Sequence, residues 1–462
     1  MSLRSLPRCL SLYLLAPWTC NALTLDVTSA ASIKSAASSV AYGMMQYYTG
    51  NNTGDVPGNL PSPYYWWEAG SMFGHLVDYW YYTGDTTYNA EVIQAIVFQA
   101  GTDGAFMPSN QTETEGNDDQ VFWAFAALDA AELNFPAPTA GSPSWLAMAQ
   151  AVFNLQATRW DTSTCGGGLR WQIFTWNNGY TYKNVASNGG FFMLGSRLAR
   201  YTGNTTYVDW AEKAWTWFEE SVLFDNTTFA IYDGSSDLAN CTSADHSQYS
   251  YNYGLYLGGL AYLYNHTEDA KYLTALTGVV NATLTTFFPT AMGDKIMVEI
   301  ICEPFGTCDT DDYTFKSFTL RWLAVAAQLA PTLAPTIWPY IQASAQGAAG
   351  QCDAAAGFTC GFEWNTTTWD GTSGVGQQMS ALAAIQANMI TVDSLAAPYT
   401  KDTGGTSVGD PTAGTGTSSG SDSAEEGFAT GAITTADRAG AGILTAMALV
   451  LTLGGAVWMV HS

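Results

Sequence analysis

Six short motifs recur along the chain at nearly regular intervals, and this spacing limits the folds that the sequence can adopt. The motifs are YYWWEAG (64–70), GNDDQVFW (116–123), KNVASNGGFF (183–192), YSYNYGLYLGG (249–259), YTFKSFTLRW (313–322) and GVGQQMSALAA (374–384). Intervals of 52, 70, 64, 64 and 61 residues separate their markers Trp66, Asp118, Asn188, Asn252, Lys316 and Gln377. Each motif opens a segment that is apolar nearly all round, which is typical of a fully buried helix.

The segments between the motifs predict helices with a polar face, such as 206–221 with Asp209, Glu212 and Lys213. Three stretches each end one helix, turn, and begin the next with a Thr or Asp cap. They are YYTGDTTYNAEV (81–92), RYTGNTTYVDWAE (200–212) and LYNHTEDAKYLTAL (263–276). We predict twelve helices, at 29–48, 65–82, 87–100, 118–133, 144–157, 188–202, 206–221, 250–264, 269–287, 314–329, 333–347 and 376–390. Helices that alternate in this way form an all-α (α/α)6 toroid of six inner and six outer helices, with all six motifs at one end.

The two ends of the chain predict export and a lipid tether. Residues 1–22 resemble a signal peptide, because two arginines precede a short apolar run and a small-residue cleavage site. Residues 23–397 are then one domain, which contains the toroid, and the Gly, Ser and Thr of 398–430 predict a flexible stalk. Residues 431–462 end in an apolar run that permits a transmembrane helix. Because no Lys or Arg follows this run, we predict a GPI-attachment tail instead, with the attachment residue between Ser423 and Gly431.

The cysteines and sequons agree with a secreted protein that is held at the plasma membrane. Cleavage after residue 22 leaves an even number of cysteines, which predicts disulfides, although sequence alone leaves 15 pairings open. We prefer Cys302–Cys308 and Cys352–Cys360 as local loops, which leaves Cys165 with Cys241. Eight N-x-Ser/Thr sequons are candidates for N-glycosylation: Asn51, Asn110, Asn204, Asn226, Asn240, Asn265, Asn281 and Asn365.

Charge and composition exclude several classes of function. A net charge of −25 argues against a nucleic-acid partner and suits a neutral or cationic ligand. The four histidines are scattered without zinc spacing, so we expect no metal and no cofactor. The stretch CDTDDY (308–313) lacks the glycine and terminal glutamate of an EF-hand, and we interpret it as a loop that contributes a hydroxyl-binding aspartate. We expect the protein to be a monomer.

Asp118 and Asp119 stand side by side at the entrance of an apolar helix. Helix capping is the ordinary reason for such a pair. Their place among aromatic and amide side chains favours a sugar site instead, because glycoside cleavage uses two carboxyl groups. Neighbouring helical residues point about 100° apart, so both can face the lumen, and carboxyls ~5–5.5 Å apart would indicate a retaining mechanism. The candidate substrate-binding residues are Trp66, Trp67, Asn117, Gln120, Trp123, Trp171, Lys183, Asn184, Asn188, Asn252, Asp311, Phe315, Lys316 and Gln377.

Over roughly 25–395 the sequence resembles glycoside hydrolase family 76, in its fungal GPI-anchored cell-wall branch. The resemblance rests on GNDDQ before an aromatic helix, GGLRW (167–171), KNVASNGG and CEPFGTCDTDDYTFKSFTLRW (302–322). It implies an (α/α)6 barrel and retaining action on α-1,6-linked mannose, with Asp118 as the nucleophile and Asp119 as the acid/base. It also implies cleavage within the mannose core of a GPI glycan, with transfer either to water or to wall β-glucan.

Two other functions remain open. A glycan-binding wall protein without catalysis would keep the same aromatic residues but would not need both acids. An inverting glycosidase or a polysaccharide lyase would share the fold, since fold does not decide function. A lyase acting on acidic polymers would want basic residues, and the motif end offers only Arg170, Lys183, Lys316 and Arg321.

Overall fold

The computed structural model describes residues 22–353, 357–366, 368–411 and 413. The predicted GPI tail, nearly all of the signal peptide and the distal part of the stalk lie outside these ranges. In chain order the helices are α1 (Ala30–Met45), α2 (Trp66–Thr83), α3 (Asn89–Ala100), α4 (Asn117–Glu132), α5 (Trp145–Thr158), α6 (Val185–Thr202), α7 (Thr205–Glu220), α8 (Ser250–Thr267), α9 (Ala270–Phe287), α10 (Asp312–Leu329), α11 (Ala334–Gly350), α12 (Val375–Gln386) and the short α13 (Met389–Val392).

The even-numbered helices from α2 to α12 form a closed inner ring. Each packs against the next along the chain, and α12 returns to α2. The odd-numbered helices from α1 to α11 pack outside this ring, each against one or two inner helices. The predicted (α/α)6 toroid is therefore confirmed, and all six motifs mark the beginnings of inner helices.

Inner and outer helices differ in burial. Every residue of α4 except Asp119 is buried, whereas α7 buries a single stripe. That stripe consists of Tyr207, Ala211, Ala214, Trp215 and Phe218. Its spacing of three and four residues places it on one helix face. Because burying a large apolar side chain contributes about 1.5–3 kcal/mol, the stripes of the outer helices hold them against the inner ring.

The turn residues explain where the helices begin and end. Gly203 adopts the left-handed conformation (φ 68°) that ends α6, and its amide donates to the carbonyl of Ala199 at 2.8 Å. Asn204 then begins α7 by accepting a hydrogen bond from the amide of Thr206 at 2.9 Å. Helix α6 starts three residues earlier than predicted, because Asn184 is the capping residue and accepts from the amide of Ser187 at 3.2 Å.

Three disulfides and two short ribbons tie the loops together. The bonds Cys165–Cys241, Cys302–Cys308 and Cys352–Cys360 confirm the preferred pairing. Strand β1 (Tyr182–Asn184) pairs antiparallel with β2 (Gly234–Ser236), and β3 (Cys352–Asp353) pairs with β4 (Thr359–Cys360). Within the described ranges no helix is long and apolar enough to cross a membrane; the apolar run 439–460 lies outside them.

Residues 398–411, which the composition assigns to the stalk, are hydrogen-bonded to the toroid. The amide of Tyr399 donates to the carbonyl of Glu132 at 2.7 Å, and the amide of Lys401 donates to the carbonyl of Tyr201 at 3.1 Å. The amide of Asp410 donates to Gln150 at 2.8 Å. Composition gave no sign of this attachment, because the contacts are made mainly by the backbone of Gly- and Thr-rich chain.

The end of the toroid axis opposite to the motifs is closed by an ion network. Its members are Asp78, Asp129, Glu132, Arg197 and Arg321, all of them on inner helices. Arg197 contacts Asp129 at 2.5 Å and Glu132 at 2.8 Å, and Arg321 contacts Asp129 at 2.7 Å. All five side chains are buried, and each of the three carboxyl groups contacts at least one of the two guanidinium groups.

Candidate active site

A cleft of about 750 Å³ opens at the end of the toroid where the inner helices begin. It is lined by the first residues of α2, α4 and α10 and by loops that connect the inner and outer helices. Eight of the predicted site residues line it together: Trp66, Trp67, Asp118, Asp119, Trp171, Asn184, Asp311 and Phe315. Residues that are far apart in sequence thus meet at the end where the motif spacing places them.

The first turn of α4 holds the two aspartates by different hydrogen bonds. Asp118 accepts from the side-chain amide of Asn184 at 2.7 Å and from the backbone amide of Asp119 at 3.0 Å. Asp119 accepts from the backbone amide of Gly116 at 2.6 Å. The bond from the amide of Gly116 to Asp119 is a helix-capping bond, so capping and a place in the cleft are compatible for Asp119.

Gly116 leaves the space in which the two carboxyl groups approach each other. A Cβ atom at this position would overlap Oδ1 of Asp118 and would lie 3.1 Å from Oδ2 of Asp119. These two oxygens therefore flank the same small gap. A side chain at residue 116 would occupy that gap.

The environment separates the proton affinities of the two acids. Burial raises the pKa of Asp118 from 3.8 to about 6, although the hydrogen bond from Asn184 opposes the rise. Burial, followed by the charge of Asp118, raises the pKa of Asp119 well above its ordinary value, and Glu115 and Asp311 add to that rise. Asp118 thus ionises first and Asp119 keeps its proton, which is the division of roles that one nucleophile and one acid require.

Asn117 and Gln120 flank the pair but do not line the cleft. The guanidinium of Arg159, which follows the last residue of the outer helix α5, donates to Oδ1 of Asn117 at 3.0 Å and to Oε1 of Gln120 at 2.7 Å. Gln120 also donates to the carbonyl of Ala105 at 2.8 Å. These side chains hold the first turn of α4 from behind instead of facing a ligand.

Two lysines that the sequence predicted to bind substrate are instead bound by other groups of the protein. Lys183 is wholly buried and donates to the carbonyls of Thr164 (2.9 Å) and Gly167 (2.6 Å), with the carboxylate of Asp161 at 3.1 Å. Lys316 is wholly buried too, where it pairs with Glu303 and donates to the carbonyl of Phe362 at 2.7 Å. Neither ammonium group faces the cleft, because loop carbonyls and carboxylates surround both.

The other four predicted residues are buried behind the cleft wall. Trp123 donates to the carbonyl of Trp66 at 3.2 Å, and Asn188 exchanges hydrogen bonds with the backbone of Leu169 at 2.7 and 2.9 Å. Asn252 is fully buried near the start of α8, and Gln377 is buried near the start of α12. The motifs therefore identify the correct end of the toroid, but four of their six marker side chains, those of Asn188, Asn252, Lys316 and Gln377, are buried in that end and do not line the cleft.

The cleft contains acids that the motifs do not mark. They are Glu113, Glu115, Asp233, Asp309 and Asp312. Asp233 accepts from the hydroxyl of Tyr182 at 2.9 Å and lies just before β2, far along the chain from the aspartate pair. No local pattern marks it. Glu115 did carry a signal, since it is an acid two residues before a buried helix entrance.

The cleft is acidic and lined with aromatic rings. None of its lining residues in the described chain is Lys or Arg. Burial, and then the charge of Asp309, raises the pKa of Asp311 to about 7, while the indole of Trp67 donates to its carboxylate at 3.2 Å. The rings of Tyr251 and Phe315 stack with centroids 4.1 Å apart. Such a surface suits a ligand with hydroxyl groups, apolar C–H faces and no negative charge.

The loop before α10 offers little to a metal ion. Cys302, Cys308 and Asp312 bring potential ligand atoms close together, but the two sulfurs form a disulfide and supply no thiolate. Asp309 instead accepts from the backbone amides of Asp311 and Asp312 at 3.1 and 3.2 Å. The CDTDDY stretch is therefore a loop that leads into α10 and carries Asp311 to the cleft.

Known proteins resemble this chain over most of its length. The model of glycosyl hydrolase family 76 matches residues 32–402. Mannan endo-1,6-α-mannosidase DCW1 of Saccharomyces cerevisiae is 46% identical, over 95% of this chain and 96% of that protein. The crystal structure of Dfg5 from Chaetomium thermophilum in complex with glucosamine is 42% identical, with a TM-score of 0.80 over 84% of this chain and 97% of that one. An inactive variant of an α-1,6-mannanase of Salegentibacter, in complex with α-1,6-mannotriose, shares the fold at 17% identity and a TM-score of 0.63, over 78% of this chain and 99% of that one.

Proposed function

The chain belongs to glycosyl hydrolase family 76, and we propose that it is a retaining glycosidase that cleaves α-1,6-linked mannose in mannan or in a GPI-core glycan. The observation that carries this proposal is the aspartate pair at the start of α4. The two carboxyl groups flank the gap at Gly116. Their pKa values are raised to different extents. The DCW1 relative, a mannan endo-1,6-α-mannosidase, supports the linkage and the sugar.

In the first step Asp118 is the nucleophile. Its carboxylate attacks the anomeric carbon of the mannose while Asp119 donates its proton to the glycosidic oxygen. The bond between the anomeric carbon and that oxygen breaks, the leaving sugar departs with the proton, and a mannosyl ester forms on Asp118. The hydrogen bond from Asn184 orients the attacking carboxylate.

In the second step Asp119 has become a carboxylate and acts as a base. It takes a proton from water or from a sugar hydroxyl, whose oxygen attacks the anomeric carbon and releases the carboxylate of Asp118. Two inversions restore the α configuration. A covalent intermediate can be intercepted by an acceptor sugar, so transfer to β-glucan is mechanistically open to this site.

The charge of the cleft favours a GPI-core glycan among α-1,6-mannosides. Acids at Asp309, Asp311 and Asp312 line the wall beside Tyr65 and Trp67, and an amino sugar is positively charged when protonated. The 42%-identical Dfg5 structure is in complex with glucosamine, which is such an amino sugar. A glycan that carries a free amine next to its mannose core would therefore match this wall better than a neutral mannan.

The stereochemistry of the product tests the retaining mechanism. Purified protein is given α-1,6-mannotetraose, and NMR follows the reducing end formed first. We expect the α anomer, and products longer than the substrate when a laminarin oligosaccharide is added as acceptor. A β anomer would exclude a nucleophile at residue 118. Binding without any turnover would instead favour the glycan-binding protein without catalysis.

We also propose that residues 1–22 direct export and that residues 431–462 direct attachment of a GPI anchor, with a monomeric domain at the cell surface. The motif pattern of both ends supports this proposal. A chain truncated before residue 428 should be released to the medium in active form. Retention of the 439–460 peptide in the mature protein, detected by mass spectrometry, would contradict GPI attachment.

A further inference from the structure

The loop 171–180, between α5 and β1, exposes aromatic side chains beside the cleft. Its sequence is WQIFTWNNGY, so the loop carries no charged side chain. Trp176 is 56% exposed, and its ring stacks on the ring of Phe174 with centroids 4.9 Å apart and planes 21° apart. Exposed apolar side chains that lie together mark a binding surface, whereas single scattered ones do not. Neither ring of this aromatic pair takes part in the two chemical steps.

The same loop forms part of the cleft wall. Trp171, Gln172, Asn177 and Asn178 line the cleft, and the aromatic pair lies between them in the sequence. The side chain of Asn177 donates to Oε1 of Gln172 at 2.9 Å and so connects the two lining stretches of the loop. The surface of the aromatic pair is therefore continuous with the cleft.

Backbone hydrogen bonds fix the base of the loop against the turn that carries the aspartate pair. The amide of Asn117 donates to the carbonyl of Trp171 at 2.8 Å, and the amide of Ile173 donates to the carbonyl of Glu115 at 3.3 Å. A Cβ atom at Gly179 (φ 92°) would overlap the ring of Trp171, so glycine lets the loop return close to that ring. The loop thus keeps a fixed position relative to the two reacting carboxyl groups.

The two sides of the cleft differ in charge. In the ring of six inner helices α10 stands three places from α4 and therefore opposite to it. The loop, held at the start of α4, lies across the cleft from Asp309, Asp311 and Asp312 at the start of α10. The acidic side suits an amino sugar. The loop offers amides and aromatic rings without charge, which suits a neutral sugar chain with apolar C–H faces.

We propose that loop 171–180 is the binding surface for a neutral glucan acceptor in the second step, with the aromatic pair covering the faces of its sugar rings. This assignment rests on the proposed function, because it requires a mannosyl ester on Asp118. The acceptor hydroxyl gives its proton to the carboxylate of Asp119 while its oxygen attacks the anomeric carbon. The bond from that carbon to Asp118 breaks and releases the carboxylate. Sugars held along the loop keep the hydroxyl close to the ester, which favours transfer over hydrolysis.

The test measures transfer and hydrolysis together in the full chain. The donor is α-1,6-mannotetraose, and the concentration of a laminarin oligosaccharide acceptor is varied. Trp176→Leu removes the flat ring, and we expect the acceptor concentration at half-maximal transfer to rise by about tenfold. Trp176→Phe keeps a ring and should raise that concentration less. Phe98→Leu removes a ring of similar exposure (54%) from α3 and is the control, for which we expect no change.

Asn178→Ala gives a second measurement, because Asn178 is exposed and its truncation leaves the aromatic pair in place. We expect a smaller rise in the same acceptor concentration. If the pair only supports the fold, Trp176→Leu lowers the melting temperature and slows transfer and hydrolysis equally. A constant ratio of transfer to hydrolysis in Trp176→Leu and Asn178→Ala therefore overturns the inference.

Two further outcomes also overturn it. In one, the KM for the donor without acceptor rises as much as the acceptor concentration does, which would assign the loop to the mannan donor. In the other, the unchanged protein hydrolyses the donor with retention but forms no transfer product with the laminarin oligosaccharide. The proposed function survives both outcomes, whereas a β anomer as the first product would overturn the proposed function itself.

Discussion

The two ends of the toroid axis bury the same kinds of acid for opposite purposes. At the closed end Asp129 and Glu132, near the end of α4, contact Arg197 at 2.5 and 2.8 Å. At the open end Asp118 and Asp119, in the first turn of the same helix, face a cleft whose lining contains neither Lys nor Arg. One helix thus carries a compensated acid pair at one end and an uncompensated pair at the other.

The difference lies in what opposes the burial of a carboxylate. An arginine within hydrogen-bonding distance stabilises the charged form, so the closed end contributes a connection between four inner helices. Burial raises the pKa of Asp78 at the closed end to about 6, with Arg321 opposing the rise. At the open end burial raises the pKa of Asp118 to about 6 and that of Asp119 well above its ordinary value, and no cation opposes either rise. The buried acids of the open end lower the stability of the fold, and their raised pKa values are those that acid–base chemistry can use.

The largest expected effect is the loss of turnover when either acid of the open end is changed. Asp118→Asn removes the nucleophile and Asp119→Asn removes the acid, and each should lower kcat by about 10² or more. Neither variant should melt at a lower temperature than the unchanged protein, because neither acid holds helices together through a cation. The measurement is kcat on an α-1,6-mannoside beside a thermal melt. Full activity in either variant would reduce the pair to helix caps.

Sequence patterns predicted the toroid well because its determinants are local. The periodic apolar segments, the turn at Gly203 and the cap at Asn204 act within a few residues of themselves. The short separations of Cys302–Cys308 and Cys352–Cys360 are local as well. Each is visible in the sequence before any tertiary contact is known.

The site was predicted less completely because the rotation of a side chain around its helix depends on tertiary packing. Asp118 faces the cleft, whereas the neighbouring Asn117 bonds to Arg159 behind it. The sequence predicted that Lys183 and Lys316 bind the ligand, but loop carbonyls and carboxylates enclose both side chains. Asp233 reaches the cleft through the β1–β2 ribbon, and no motif precedes it.

The second prediction concerns the ion network at the closed end. Arg197→Met removes the cation between Asp129 and Glu132, and the loss should lower the free energy of unfolding by about 3–5 kcal/mol, because buried charges are left without a partner. Glu132 would retain the hydroxyl of Tyr262 at 2.9 Å, which offers only a neutral hydrogen bond. Chemical denaturation measures the loss. A change below about 1 kcal/mol would show that the network is not compensating these charges.

The third prediction concerns pH and the stability of the open end. The pKa of Asp118 is about 6 in the folded protein, against an ordinary value of 3.8. The folded state therefore binds the proton more tightly than the unfolded chain, and stability falls as pH rises from about 4 to about 6. Asp118→Asn removes the titrating group, so the variant should exceed the unchanged protein in stability at pH 7, by about 3 kcal/mol at most. At pH 4 the two should be nearly equal.

Thermal melts across this pH range measure the difference. The exposed Asp209→Asn on α7 is the matched control, and its melting temperature should track the unchanged protein throughout. An advantage for Asp118→Asn that is larger at pH 4 than at pH 7 would reverse the sign and contradict the raised proton affinity.

The smallest expected effect comes from an ion pair with the same distance but without burial. Lys271 contacts Glu212 at 2.5 Å, as Arg197 contacts Asp129, but the Lys271 and Glu212 side chains are 53% and 48% exposed, against 1% and 5% for the buried pair. Water solvates both surface charges after the contact is lost, so Lys271→Met should lower the free energy of unfolding by no more than about 1 kcal/mol. Methionine also preserves most of the apolar stem that lies near the ring of Tyr272. Chemical denaturation of Lys271→Met and of Arg197→Met therefore separates the effect of burial on the free energy of unfolding from the effect of contact distance. Equal losses in the two variants would mean that contact distance decides the value of an ion pair here, and the contrast between the two ends of the toroid would lose its physical basis.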